Sequence, residues 1–320
     1  AGVHTAISKT DPITFCDFQK NISDDKSFDF NKFSEDMSGT NEISVIPANL
    51  GTITVANQYG IKGICYTVVS ACAAASQAIG LGFRAIKRNE QAVVLTGGYD
   101  SMIFPFGVGG FCLLEAMTKK NEELSKAVKP FDKNRDGLVL GEGAGVIVLE
   151  ELEHAKKRNA DIYAEMIGYG TSVDAYRVTD PHPEGTGAAL AMRNAIKDAG
   201  INITEVDYIN AHGTATPKND KVETKAIKNV FGDRAYKIPV SSIKAMVGHL
   251  ISAAGAIELI ASALAIKHSC IPPTINYETP DEECDLNYVP NKAEKAELKN
   301  ALSNSFGFGG QNSALLIKKY

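Results

Sequence analysis

The chain has 320 residues, 44% hydrophobic and 22% charged, which is enough apolar material for one large domain or two similar ones fused. Its net charge of −5 excludes the basic signature of a nucleic-acid binder and gives no pull toward an anionic membrane. The six cysteines show no CxxC or framework spacing, so free thiols in a reducing compartment are expected; no uncharged stretch reaches membrane-spanning length, and no basic-then-apolar leader opens the chain.

Residues 1–45 are polar, with a mixed-charge run from Asp24 to Glu42 and three phenylalanines, Phe28, Phe30 and Phe33, spaced to anchor on another surface. They read as an irregular arm or cover that contains His4. Regular patterning begins near Val45. A β-rich run over 66–69 stops at Ser70-Ala71-Cys72. Apolar Ala75, Ile79, Phe83 and Ile86 then recur at helical spacing, predicting a buried helix to Lys87. Further strands are expected at 91–96 (ending in Gly97-Gly98), 143–149, 162–168, 206–210, 238–241, 301–305 and 313–317. Helices are expected at 111–117, 150–158, 187–199 (closed by Gly200), 221–230 and 252–267. Strands joined through helices indicate an α/β fold with buried sheets and helices on their faces.

Cys72 sits where a strand turns into a helix. Free N–H groups and the dipole at a helix start favour a thiolate. A lone buried cysteine is as often structural, and this stretch leaves both readings open. The stretch ending AlaIleLys at Lys87 is echoed by one ending AlaIleLys at Lys267, with His249 near the second helix as Cys72 is near the first. Two α/β halves sharing a cleft, or chance likeness of alanine-rich helices, both account for it.

Three more stretches carry chemistry. Asn210-Ala211-His212-Gly213-Thr214-Ala215-Thr216-Pro217 places a histidine and two hydroxyls at a strand end, where ligands bind in such sheets. Ser241-Ser242-Ile243-Lys244-Ala245-Met246-Val247-Gly248-His249 sets a lysine and a histidine five apart at another strand-to-helix passage. Asn304-Ser305-Phe306-Gly307-Phe308-Gly309-Gly310 is a glycine-rich turn whose Phe306 and Phe308 form an apolar wall. Singly, each has an ordinary structural reading. Together, one cysteine and two histidines at strand ends suit thiolate catalysis assisted by imidazole donors. His4, His154, His182 and His268 lack such settings, metal-ligand spacing is absent, and no glycine-rich stretch matches a phosphate loop.

These pieces, in order with Ser70-Ala71-Cys72-Ala73-Ala74-Ala75 and the segment from Lys129 to Ala144, resemble the β-ketoacyl-acyl carrier protein synthases, close to the type II elongating enzymes of fatty acid synthesis. The resemblance runs from about Asn49 to Tyr320. It implies a thiolase-like fold, two related α/β halves in a five-layer arrangement, with an arm over 1–45, a first half over 46–160 carrying Cys72 and a second half over 161–320 carrying His212 and His249. It implies Cys72 as acyl-accepting nucleophile, His212 and His249 as catalytic histidines, Lys244 as supporting lysine and Glu258 as a carboxylate of the same network. Phe308 matches the gate and, with Cys72, the oxyanion-hole N–H pair; Phe111 matches an acyl-pocket residue, and Thr214 and Thr216 match hydroxyls that touch the pantetheine arm. It further implies a homodimer served by acyl- and malonyl-loaded acyl carrier protein, without cofactor or metal, in cytoplasm or plastid stroma.

The chain departs from the family pattern at its start, where the cysteine lies much nearer the first residue and the opening strand–helix units of the first half are missing or shortened. Ile64, Ile243, Ala245, Val247 and Gln311 are smaller departures, and none removes a catalytic side chain. Two other readings stand beside the elongating enzyme: a ketosynthase of a polyketide or secondary pathway, and a non-catalytic partner subunit of a full-length synthase.

Overall fold

The computed structural model describes residues 1–6 and 48–320. The first half runs β1 (Gly2–Ala6), α1 (Leu50–Gln58), β2 (Cys65–Val68), a 3-10 turn (Ala71–Ala73), α2 (Ala74–Lys87), β3 (Val93–Asp100), α3 (Pro105–Leu113), β4 (Gly143–Glu150) and α4 (Leu152–Lys157). The second runs β5 (Glu165–Val173), α5 (Thr186–Ala199), β6 (Tyr208–Asn210), α6 (Pro217–Phe231), β7 (Val240–Ser241), α7 (Lys244–Val247), a 3-10 turn (Ile251–Ala253) and α8 (Ala254–His268). The short pair β8 (Cys270–Ile271) and β9 (Glu294–Lys295) follows, and the hairpin β10 (Asn300–Gly307) and β11 (Gln311–Lys318) closes the chain.

Apart from the small β8–β9 sheet, the strands form two sheets, ordered β2-β1-β3-β4 and β7-β6-β10-β11-β5. In each, the first three strands are parallel and the fourth is antiparallel to its neighbour (β3 with β4, β10 with β11). The alanine-rich helices α2 and α8 pack between the sheets, where Ala75, Ala78, Ile79, Ala256 and Leu259 meet Ala6, Tyr208, Ala301 and Leu315. Small side chains there let two sheets and two helices approach closely. Helices α5 and α6 cover the outer face of the second sheet through Ala188, Met192, Ala226 and Ile227. Helix α1 packs on β1 and β2, completing five layers.

The faint echo in the sequence is a structural repeat. Each interior helix is preceded by one 3-10 turn, and the first residue of each turn, Ala71 and Ile251, has φ of 47°. The antiparallel pairs β3–β4 and β10–β11 pair eight residues each in matching register. What the first half lacks, among the described residues, is a counterpart of β5 and α5. Val146 and Val148 of β4 are therefore 63% and 55% exposed, whereas the matching Ala314 and Leu316 of β11 are fully buried. An open apolar strand edge invites pairing between chains. Val148→Lys is expected to raise the aggregation threshold, read by light scattering, with acylation of Cys72 unchanged.

The structure corrects three expectations. Gly2–Ala6 is a buried strand between β2 and β3, not part of an irregular arm, and His4 lies within it. A strand covered on both faces shows no alternation to betray it. The remaining features read in the arm, from Asp24 to Glu42 with Phe28, Phe30 and Phe33, lie outside the described residues. Gly97-Gly98 does not end a strand: β3 runs through to Asp100, and the glycines admit close neighbours, since a Cβ at Gly97 would stand 2.0 Å from the Gly145 carbonyl oxygen. The helix expected at 111–117 spans Pro105–Leu113, started by Pro105 at its first position. One stretch among the described residues, Ile251–His268, is long and apolar enough to cross a membrane by length and composition, and in keeping with the expectation it is not uncharged, since it holds Glu258 and Lys267. It is mostly buried as the interior helix α8 and carries Glu258 inward, which accounts for its apolar composition without a bilayer.

Candidate active site

Every catalytic side chain expected from the sequence converges on one cavity of about 310 Å³, lined by Cys72, Phe111, His212, Thr214, Thr216, His249, Phe306 and Phe308. Lys244 and Glu258 stand behind it. Cys72 lies in the 3-10 turn before α2; β6 delivers His212, α7 carries Lys244, and His249 precedes the second 3-10 turn. The three reactive groups come from both halves, so the cavity is a product of the repeat.

His249 Nε2 is 3.1 Å from Cys72 Sγ. Its other ring nitrogen, Nδ1, accepts a hydrogen bond from Ile251 N at 3.2 Å. A backbone N–H is only a donor, so Nδ1 is bare and the proton sits on Nε2. His212 stands alike: its Nδ1 faces the Lys244 ammonium at 3.4 Å, another pure donor. The two rings lie nearly perpendicular, with centroids 5.3 Å apart. Both imidazoles thus present Nε2–H to the cavity and have no lone pair there to act as a base. Cys72, His212 and His249 have ligand atoms within 4.8 Å of one another. A cation would need the Nε2 lone pairs that this arrangement removes, so the donor set does not fit a metal.

Lys244 is no surface charge. It and Glu258 are each 2% exposed and form an ion pair, and Lys244 Nζ also donates to the His212 carbonyl oxygen. Burial pushes Glu258 up, and Lys244 opposes it. Burial drives both imidazoles well below the usual histidine value, with Lys244 acting in the same sense on each. Both rings are neutral at physiological pH.

The thiol departs from the sequence expectation. Burial pushes Cys72 up to about 12, outweighing Lys244 and the Phe308 N–H, while Asp100 and Glu258 add to the rise. Desolvation of the sulfur beats the helix start, and the resting form is the thiol. Alkylation of Cys72 by iodoacetamide is therefore expected to rise about tenfold per pH unit between about pH 7 and 10. A plateau near neutrality would show that the donors outweigh burial.

Around the sulfur, Phe111, Leu138, Leu140 and Ile251 form an apolar cluster joined by Phe308. Phe308 stacks on Phe111 with centroids 6.1 Å apart, and Phe306 meets the His212 ring edge-on at 5.8 Å. Thr214 and Thr216 are linked through their hydroxyls at 2.9 Å, and Thr216 also caps α6. A Cβ at Gly307 would stand 3.0 Å from Cys72 N, so glycine keeps the space in front of that N–H open.

Sequence reasoning missed the carboxylates that hold the His212 loop. Glu223 accepts from His212 N at 2.9 Å and Gly213 N at 2.8 Å; Asp220 accepts from Ala215 N and, from the Lys129–Ala144 segment, Phe131 N. Burial raises Glu223 to about 7. Two acids three apart on one face with Ile227 and Val230 were the available signal, since acids on a core face need partners.

The N-terminal domain model of the β-ketoacyl synthases matches residues 14–155 and the C-terminal domain model matches 163–278. The first match starts within the range read as an arm. The 3-oxoacyl-[acyl-carrier-protein] synthase 2 of Coxiella burnetii is 50% identical over 271 residues, 85% of this chain and 66% of that protein. The enzyme of the same name from Synechocystis is 48% identical over 278 residues, 87% of this chain and 67% of its own length. The chain thus spans about two thirds of the length of these relatives. A β-ketoacyl synthase from Burkholderia phymatum superposes with a TM-score of 0.87 at 33% identity, covering 99% of this chain and 75% of that one. A type II polyketide ketosynthase solved with its acyl-carrier protein gives 0.87 at 35%, covering 100% and 78%. With both halves of the repeat matched and the cavity built between them, the chain belongs to the β-ketoacyl synthase family.

Proposed function

We propose that this chain is a 3-oxoacyl-[acyl-carrier-protein] synthase that lengthens fatty acyl chains by two carbons. The observation that carries the reading is the pair of imidazoles, each held as an Nε2–H donor beside a buried thiol. Such a pair is suited to an oxyanion and unsuited to proton abstraction.

Cys72 Sγ attacks the carbonyl of an acyl thioester on acyl carrier protein. The new C–S bond forms, the carrier's C–S bond breaks, and the Cys72 proton leaves on the carrier thiol. The Cys72 and Phe308 N–H groups receive the transient oxyanion, each such donor contributing about 3 kcal/mol. A malonyl thioester then places its carbonyl oxygen on His212 and His249. The bond to its carboxylate breaks, carbon dioxide leaves, and the two Nε2–H groups hold the enolate. The enolate carbon attacks the acyl-Cys72 carbonyl; the C–C bond forms, the C–S bond breaks, and the sulfur leaves as a thiolate that takes its proton from water. No electron is transferred to or from an external acceptor, so no cofactor is needed. Phe111 and the apolar cluster take the acyl tail, Thr214 and Thr216 the pantetheine arm, and Phe308 gates the passage.

The names of the relatives, at nearly 50% identity, support the fatty acid reading over the polyketide one. An intact Cys72, His212, His249 and Lys244 speaks against a non-catalytic partner. Acyl carrier protein is the partner, and a homodimer forms through exposed apolar side chains such as Tyr66 at the β2 edge and Leu113 of α3. The described cysteines are all free, which supports a reducing compartment, cytoplasm or plastid stroma. The test is intact mass after incubation with a medium-chain acyl carrier protein, then malonyl carrier protein. One acyl increment on Cys72 followed by a β-ketoacyl product is expected. A folded sample that gains no increment sinks the reading.

A further inference from the structure

The repeat sets each group around Cys72 opposite a counterpart in the other half. Pairing α2 with α8 from their first residues places Cys72 opposite Ser252 and Ala71 opposite Ile251. Pairing β3 with β10 places Asp100 opposite Gly307 and Ser101 opposite Phe308. In the reactive arrangement, Gly307 leaves the Cys72 N–H facing open space. In its counterpart the space is filled. Asp100 Oδ2 accepts from Ser252 N at 3.0 Å, and Oδ1 accepts from Ser101 N at 2.9 Å. The backbone donor pair of Cys72 and Phe308 therefore recurs as Ser252 and Ser101, already holding a carboxylate. Asp100 is only 6% exposed, and Ser252 Oγ donates to the Tyr99 carbonyl oxygen at 3.1 Å, locking the same turn.

We infer that Asp100 is a positioning residue for His249, acting through the turn at Ile251. Ile251 is β-branched, and its φ of 47° is strained for such a side chain. The carboxylate clamps the N–H of the next residue, Ser252, and so keeps the turn in that conformation. The turn aims the Ile251 N–H at His249 Nδ1, which leaves the proton on Nε2, facing Cys72. Without the clamp the turn relaxes, the Ile251 N–H leaves Nδ1, and the proton of His249 is free to sit on either nitrogen. The consequence for turnover rests on the condensing-enzyme reading; the geometry does not.

Asp100→Ala in the full chain, labelled with ¹⁵N-histidine, tests this without substrate. The His249 signals are assigned by their loss in His249→Asn. In the parent they should report the Nε2–H form alone. In Asp100→Ala they should move toward an average of the two tautomers. Sodium formate, small enough to replace the lost carboxylate, should restore the parent pattern, and sodium chloride at the same concentration should not. In the condensation assay, kcat should fall by about 10- to 100-fold with KM for acyl carrier protein unchanged, and formate should recover it. A parent-like His249 spectrum in the folded variant overturns the inference, as does a spectral change that formate leaves unrepaired. If Asp100→Ala does not fold, Asp100→Leu, which fills the space but offers no acceptor, takes its place, and a parent-like spectrum there overturns the inference equally. A parent with no condensing activity but the expected His249 spectra would sink the functional reading and leave this one standing.

Discussion

Cys72→Ser is expected to lose acyl transfer and condensation by on the order of 10⁴- to 10⁶-fold, the range seen when a hydrolase loses a member of its nucleophile–base system. A hydroxyl is far less acidic than a thiol and needs a base to become a nucleophile. This site offers none: His249 Nδ1 is occupied by the Ile251 N–H, His212 Nδ1 by Lys244, and both Nε2 atoms carry protons. The fold should survive, because oxygen replaces sulfur in a buried turn held by backbone bonds, the Ala73 N–H to the Ser70 carbonyl oxygen among them. Intact mass after exposure to acyl carrier protein gives the answer, with circular dichroism as the control. Carbon dioxide release from malonyl carrier protein should persist in Cys72→Ala, since the enolate is held by the histidines. A serine variant acylated at the parent rate would mean that one imidazole has a bare Nε2, and the tautomer assignment would fall.

Lys244→Met is expected to cost both stability and decarboxylation. Breaking a buried ion pair by removing one partner typically costs about 3–5 kcal/mol, because the other charge stays buried and uncompensated. Here that charge is Glu258, already pushed up by burial. Without Lys244 it rises further and takes up a proton in the folded state at a pH where the unfolded chain does not. The folded state then binds more protons than the unfolded one, so the stability of the variant falls as pH rises above the ordinary glutamate value of about 4.5. Denaturation midpoints should therefore favour about pH 5 over pH 8 in the variant more than in the parent. Adding Glu258→Gln should recover most of the stability. It should not recover decarboxylation, because His212 Nδ1 still lacks the donor that keeps its proton on Nε2. A double variant with parent-like carbon dioxide release would separate Lys244 from the chemistry.

The side chains of the candidate site were legible because their signals are local. Cys72 and His212 each sit among small residues where a strand gives way to a turn, whereas His249, expected at a strand end, follows the short helix α7 that carries Lys244. The α/β class followed from strands alternating with helices, and Gly200 closes α5 where expected, with φ of 67°. β1 was hidden because its evidence is distant: Val3 pairs with Cys65 on one side and Leu95 on the other. Glu223 and Asp220 looked like ordinary helix acids until burial gave them backbone N–H partners on another segment.

What the sequence by itself determined is which atoms are available: one thiol, two imidazoles, an ammonium and the glycine that leaves room before them. Only the tertiary structure decided their states. The thiol is protonated because Phe111, Leu138, Leu140 and Ile251, gathered from separate segments, exclude water from it, and burial penalises the charged form. Each imidazole carries its proton on Nε2 because a donor from a separate segment or turn opposes Nδ1. Protonation and tautomer are set by desolvation and by partners brought together through space, and neither is encoded at any single position.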